Sequence, residues 1–376
     1  MMAPHVGLER RVLAVLDATP SRIPVLLGGC GTGRTTTLNA LAERLGHEEC
    51  QYVDVERAAS TPERFFAAVS AASPFPRSSP SATPRTAREA FDCTLSYLCE
   101  ARALDRPATI LLDEVLELRT FESFPGLRHV QSELLQALQE SGNRFVLTSR
   151  YVARAHRLLR DASARFEVIH LPALSANDVN AMLPATGDPV NQDRDFLSRT
   201  IQALSDGRAA YVRAISEATT GTGHTGDPIS ALTALLTSDG VLTAWCGYRY
   251  ELRLHRARGY GALKAILEIL ADDEPLTLTE IAQRLHRTPG STKDYLSWLE
   301  DVDLVISRQK RYSFTDPVLR LWVRLHCRPV PPTVDEVARE VQSYALARLP
   351  QIEPPLEMAG AAIVDRKRWQ GIVEID

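Results

Sequence analysis

Apolar residues fall along this chain in two rhythms. In the first half, short runs of apolar or β-favouring residues (Ile23 to Leu27, Gln51 to Val55, Thr109 to Leu112, Arg144 to Thr148 and Glu167 to Leu171) alternate with stretches of helical periodicity. Five such strands separated by helices predict a parallel five-stranded sheet in a three-layer α/β domain, residues 1–172. From Ser175 the pattern turns helical: Ser175-Ala-Asn-Asp178 reads as a capping start and Gly221 to Pro228 as a break, giving a helical lid over 173–240. Three amphipathic helices then follow, Tyr260 to Leu270, Leu278 to Leu285 and Ser291 to Leu299. After them Leu304 to Phe314 holds two strand-like runs around a basic turn. Three helices and a hairpin are the plan of a winged helix, assigned to 241–327. The C-terminal extension, 328–376, is punctuated by proline, with one expected helix from Val334 to Arg348. Ser73 to Arg85, rich in proline and serine, reads as a surface loop inside the first domain, and there is no internal repeat.

Composition narrows the choice only a little. A chain of 376 residues has room for two or three domains. Its net charge of −4 supplies no global basic field, which excludes strong non-specific DNA binding by the whole chain and leaves only local patches. The six cysteines form no C-x-x-C pair and have no histidine cluster beside them, so neither a zinc site nor a disulfide framework is expected. No segment sustains the roughly 18 apolar residues of a membrane span. The expectation is an unprocessed cytoplasmic protein with no membrane partner.

The chemistry concentrates where the first strand ends. Gly28-Gly29-Cys30-Gly31-Thr32-Gly33-Arg34-Thr35 follows Leu27 and leads into a helical pattern. It fits the phosphate-loop template G-x-x-x-x-G-K-[ST] except that Arg34 stands in the lysine position. In that template, glycines let successive N–H groups turn toward a phosphate, the basic residue reaches the terminal phosphates, and the hydroxyl of Thr35 holds Mg²⁺. Gly28, Gly31, Thr32, Gly33, Arg34, Thr35 and Thr36 are therefore the candidate phosphate contacts. Ala108 to Asp113 is an apolar strand ending in two acids. Asp113 would stand near Mg²⁺, and Glu114 would polarise an attacking water, unless both only cap the next helix. Phe145 to Ser149 is another apolar strand; Ser149 or Arg150 could sense the terminal phosphate, or Arg150 could simply face water. Arg165 could project into a neighbouring subunit as an arginine finger, which would make a self-oligomer.

With these motifs in order, the chain resembles the STAND branch of the AAA+ and related P-loop ATPases, especially the archaeal-type ATPases, and more distantly the archaeal replication initiators. His5-Val6-Gly7-Leu8-Glu9-Arg10 is similar to the family's N-terminal box, with Leu8 in place of an arginine. The resemblance implies that Val6 and Gly7 lie against adenine, that Arg208 in Ser205-Asp-Gly-Arg208 is a second sensor, and that the cofactors are ATP or ADP with Mg²⁺. It covers roughly residues 5 to 325; Phe314 to Trp322 resembles the end of the family's winged helix.

Two features leave the function open. Arginine is longer than lysine and fork-shaped, so Arg34 keeps the charge but moves it. Binding would survive on backbone N–H groups, whereas hydrolysis would be slow or absent. The second feature is the winged helix. Its presumed recognition segment, Ser291 to Asp303, carries Lys293 but also Asp294, Glu300, Asp301 and Asp303, while the turn offers Arg308, Lys310 and Arg311 for DNA phosphates. The domain either reads DNA or packs on the nucleotide module and moves with it. The reading is therefore a nucleotide-binding switch with a protein partner or second copy. The alternatives are a DNA-binding ATPase of replication or transposition type and an inactive scaffold.

Overall fold

The computed structural model describes residues 6–76, 84–104, 106–160, 162–184, 191–220, 226–255 and 259–349. His5, the middle of the proline-rich segment, residues 221–225 of the expected break and the tail from 350 lie outside the described residues.

Among the described residues ten strands are formed. They are β1 (Ile23–Leu27), β2 (Cys50–Asp54), β3 (Arg102–Ala103), β4 (Arg106–Pro107), β5 (Thr109–Asp113), β6 (Arg144–Ser149), β7 (Phe166–His170), β8 (Leu276–Thr277), β9 (Val305–Arg308) and β10 (Arg311–Phe314). Five of them make one parallel sheet in the order β2-β5-β6-β1-β7. All five strands read from the apolar runs are present, displaced by no more than one residue at either end.

Every residue of β1 and β5 is buried, as strands covered on both faces must be. Ile23, Val25 and Leu27 enter a core with Phe91, Phe121 and Phe145 on one side of the sheet. Leu26 turns to the other side, against Leu38 and Leu41 of the helix Arg34–Leu45. The period of two thus feeds two helical layers from one strand. Because β6 lies between β1 and β5, three strand ends converge: those carrying the glycine loop, the Asp113-Glu114 pair and Ser149-Arg150. Ligands bind beyond the carboxyl ends of such sheets.

Helices Tyr260–Asp272, Leu278–Arg284 and Pro289–Asp301 precede the β9–β10 hairpin, completing a winged helix. The sequence pattern missed its third strand, β8, which pairs with β10 over only two residues. One hydrophobic core runs from Leu174 and Val179 of the lid through Leu263 and Trp322 to Val337 and Val341 of the C-terminal helix Val334–Arg348. Lid, winged helix and extension therefore pack as neighbours, not as beads on a string.

Candidate functional site

The loop after β1 is held open by backbone geometry. Gly31 and Gly33 have φ of +79° and +98°, a region closed to most L side chains. Close neighbours forbid side chains elsewhere: a Cβ on Gly28 would lie 2.7 Å from Thr32 Oγ1, and one on Gly29 2.8 Å from Arg208 Nη1. The loop leads into the twelve-residue helix Arg34–Leu45, whose first-turn N–H groups and dipole form an anion receptor. Thr35 and Thr36 are exposed on that first turn.

Across from the loop, three hydroxyls converge on one carboxylate. Asp113 Oδ2 accepts from Thr35 Oγ1 at 2.6 Å and from Tyr52 at 2.9 Å, while Oδ1 accepts from Thr148. Thr35 and Asp113 offer two hard oxygens of the kind that could hold Mg²⁺. Among the described residues no group of three or more His, Cys, Asp or Glu side chains could hold a metal. Mg²⁺ characteristically completes its shell with waters and phosphate oxygens. Tyr52 was not legible in the sequence, because only the β2–β5 pairing brings it beside Asp113.

Arg34 is buried and turned back into the loop. Its Nη1 donates to the carbonyls of Gly28 and Gly29, and its Nε and Nη2 donate to Glu114 Oε1 at 3.2 and 2.6 Å. Glu114 also accepts from the Arg150 backbone N–H at 3.0 Å, and Arg150 Nε lies 3.1 Å from its Oε2. Burial pushes this carboxyl up, but Arg34, Arg150 and the backbone donor more than offset that and hold it below the usual carboxylate range. Arg150 reaches onward to Glu56, so the chain Arg34–Glu114–Arg150–Glu56 is one alternating network. Ser149 is buried; its hydroxyl accepts from the Tyr151 N–H and its carbonyl from the Gly28 N–H.

The lid and winged helix sit directly on the loop. Arg208 Nη1 donates to the Cys30 carbonyl at 3.0 Å, Nη2 donates to the Thr315 carbonyl, and Asp316 lies 3.5 Å away. The Ala210 N–H donates to the Gly31 carbonyl at 2.9 Å. Asp303, at the end of the recognition segment, stands 3.2 Å from where a Gly29 Cβ would be. The helix Pro289–Asp301 leans on the nucleotide domain: Asp301 pairs with Arg157, and Trp298 lies 5.4 Å beneath Arg119. Arg308, Lys310 and Arg311 stay exposed on the wing, with Arg311 3.8 Å from Glu280.

Two expected residues touch none of these groups. Gly7 is exposed in the helix Val6–Leu16, with nothing within 4 Å of its would-be Cβ. Arg165 donates to the carbonyls of Ser21, Leu138, Gln139, Ser141 and Asn143 within its own chain. A guanidinium engaged on the end of the helix Val130–Glu140 does not project toward a neighbouring subunit.

Sheet order, phosphate loop, paired acids and C-terminal winged helix together make a five-stranded parallel P-loop fold followed by a winged helix, as the motifs led one to expect. A family model for a winged helix-turn-helix, DNA-binding, matches residues 262–306. The fold is similar to the Walker-type ATPase PABY2304 of Pyrococcus abyssi, with a TM-score of 0.63 at 17% identity over 86% of this chain and 96% of that one. It is also similar to ORC2 of Aeropyrum pernix in its ADPNP–ADP complexes, with a TM-score of 0.51 at 15% identity over 91% and 92% of the two chains. By sequence, no curated protein matches. No helix among the described residues is long and apolar enough to cross a membrane.

Proposed function

We propose that this chain binds ATP or ADP with Mg²⁺ at Gly28 to Thr36, and that nucleotide state governs whether the winged helix stays on the loop. The observation that carries this reading is Arg208, whose one guanidinium joins the Cys30 carbonyl of the phosphate loop to the Thr315 carbonyl of the winged helix. A ligand that interacts differently with the docked and released arrangements shifts their populations. The loop N–H groups would hold the phosphates, Thr35 and Asp113 the metal, and Val6 and Gly7 would border the base. Bound Mg²⁺ supplies charge neutralisation on the phosphates.

Turnover is slow or absent in this reading. Glu114, the acid that would take a proton from water, is engaged by both Arg34 and Arg150. A carboxylate held below its usual range is a weak base. Calorimetry with ATP and ADP in the presence of Mg²⁺ tests the binding; no heat from either nucleotide would end the proposal.

A second reading, a DNA-binding ATPase, is favoured by the winged-helix match over residues 262–306 and the exposed wing charges. In the docked arrangement the recognition helix has its C-terminal half against the nucleotide domain, while Lys293 on its N-terminal half and the wing stay exposed. The two readings join if release of the winged helix presents that helix to DNA or to a protein partner. DNA-stimulated phosphate release distinguishes them.

A further inference from the structure

At the edge of the sheet, two histidines from different elements turn the same ring nitrogen toward each other. His156 belongs to the helix Val152–Leu159, and His170 ends β7, the edge strand. Their Nε2 atoms lie 3.1 Å apart, with ring centroids at 5.0 Å and planes inclined by 29°. Both residues are exposed. Two neutral imidazoles do not aim lone pairs at each other unless something positive stands between them. Either one ring carries its proton on Nε2 and donates it, or both nitrogens face a shared cation.

A hydrogen bond between exposed rings gains little, because water offers each of them a comparable partner. A metal ion gains more. Bonds of about 2.1 Å from one ion to two ring nitrogens hold those nitrogens about 3.1 Å apart when the angle at the ion is about 95°. An angle near a right angle suits the tetragonal and octahedral preferences of Cu²⁺ and Ni²⁺, and imidazole is a favoured ligand for both and for Zn²⁺. The His170 ring, partly shielded from water and next to His156, is held below the usual histidine range. It therefore stays in the neutral form that ligates a metal. Among the described residues no third His, Cys, Asp or Glu joins the pair into a larger cluster.

We propose that His156 and His170 together bind one divalent transition-metal ion of the class that imidazole ligates, with water in its remaining positions. The ion clips the helix Val152–Leu159 to the edge strand, and it does so whether or not a nucleotide is bound. The residue after His156 is Arg157, which pairs with Asp301 of the recognition helix. The clip thus steadies the turn on which the docked winged helix rests.

The test is calorimetric titration of the full chain, free of any histidine tag, with Ni²⁺ and with Zn²⁺, on wild type, His156→Gln and His170→Gln. Wild type should bind one equivalent that either substitution weakens by about tenfold or more, since a direct ligand counts for at least as much as the outer partners whose loss costs about 10- to 100-fold. Metal should raise the melting temperature of wild type and of neither variant. Matching melting curves without metal certify the fold, and either variant decides the matter if the other does not fold. Variants that hold the metal as tightly as wild type would place it on other groups, such as the free cysteines. A wild type that takes up neither metal would leave a proton-bridged pair only. Each of these two results overturns the proposal.

Discussion

Arg34 and Glu114 lie 80 residues apart in sequence, yet their side chains meet in a buried ion pair with Nη2 2.6 Å from Oε1. The basic group expected to reach the phosphates and the acid expected to activate water are thus engaged with each other. Arginine can do this because its fork satisfies loop carbonyls and a carboxylate at once, whereas an ammonium is a single point of charge.

Replacing Arg34 with lysine should therefore free Glu114 and raise phosphate release above wild type, while Glu114→Gln should lower whatever turnover remains by about 10²-fold. A coupled phosphate assay on the three proteins gives the answer. Wild-type turnover equal to that of the lysine variant would show that the pair does not restrain the acid.

Asp303 gives docking a pH dependence. Burial raises its carboxyl to about 6, only partly offset by Arg253, Arg208 and Arg34, while Asp316 adds to the rise. The sign follows from linkage: an acid whose folded value is raised weakens the folded form when it ionises. Stability should thus be lost as pH climbs from about 4 through 6, by about 3 kcal/mol at the upper end. Asp303→Asn should remove most of that slope. Thermal melts of both proteins between pH 4 and 8 check this, and parallel curves would refute it.

The wing and the docked helix make opposite predictions for DNA. Reversing Arg308, Lys310 and Arg311 to Glu should abolish duplex binding and flatten its salt dependence, since phosphate contacts release counterions. Asp301→Lys removes the pairing with Arg157 and should strengthen binding by exposing the recognition helix. Gel shifts at two salt concentrations test both, and a charge-insensitive shift would leave the DNA reading without support.

Arg165→Ala should cost stability, not assembly. Losing the donors that cap the carbonyls of Leu138, Gln139 and Ser141 is worth about 2 kcal/mol. Urea denaturation should register that loss while sedimentation velocity stays unchanged; a changed subunit number would restore the trans finger.

Much of the architecture can be read along the chain. Short apolar runs such as Thr109 to Leu112 are strands buried on both faces. The helix expected around Val334 to Arg348 is present, and a capping box of Thr333 and Glu336 closes its start. Two-residue strands such as β8 carry too little periodicity to be seen, and their pairing comes from the hairpin beside them.

Local sequence determined the phosphate loop, its acids and the order of domains, because glycine conformations, strand burial and helix caps are decided within a few residues. Tertiary structure decided what those groups touch. Tyr52 meets Asp113, Arg34 meets Glu114, and Arg253 and Asp303 close over Cys30, because sheet order and a shared core bring distant segments within hydrogen-bond reach. Charge in a sequence says that a residue can pair, and only packing chooses the partner.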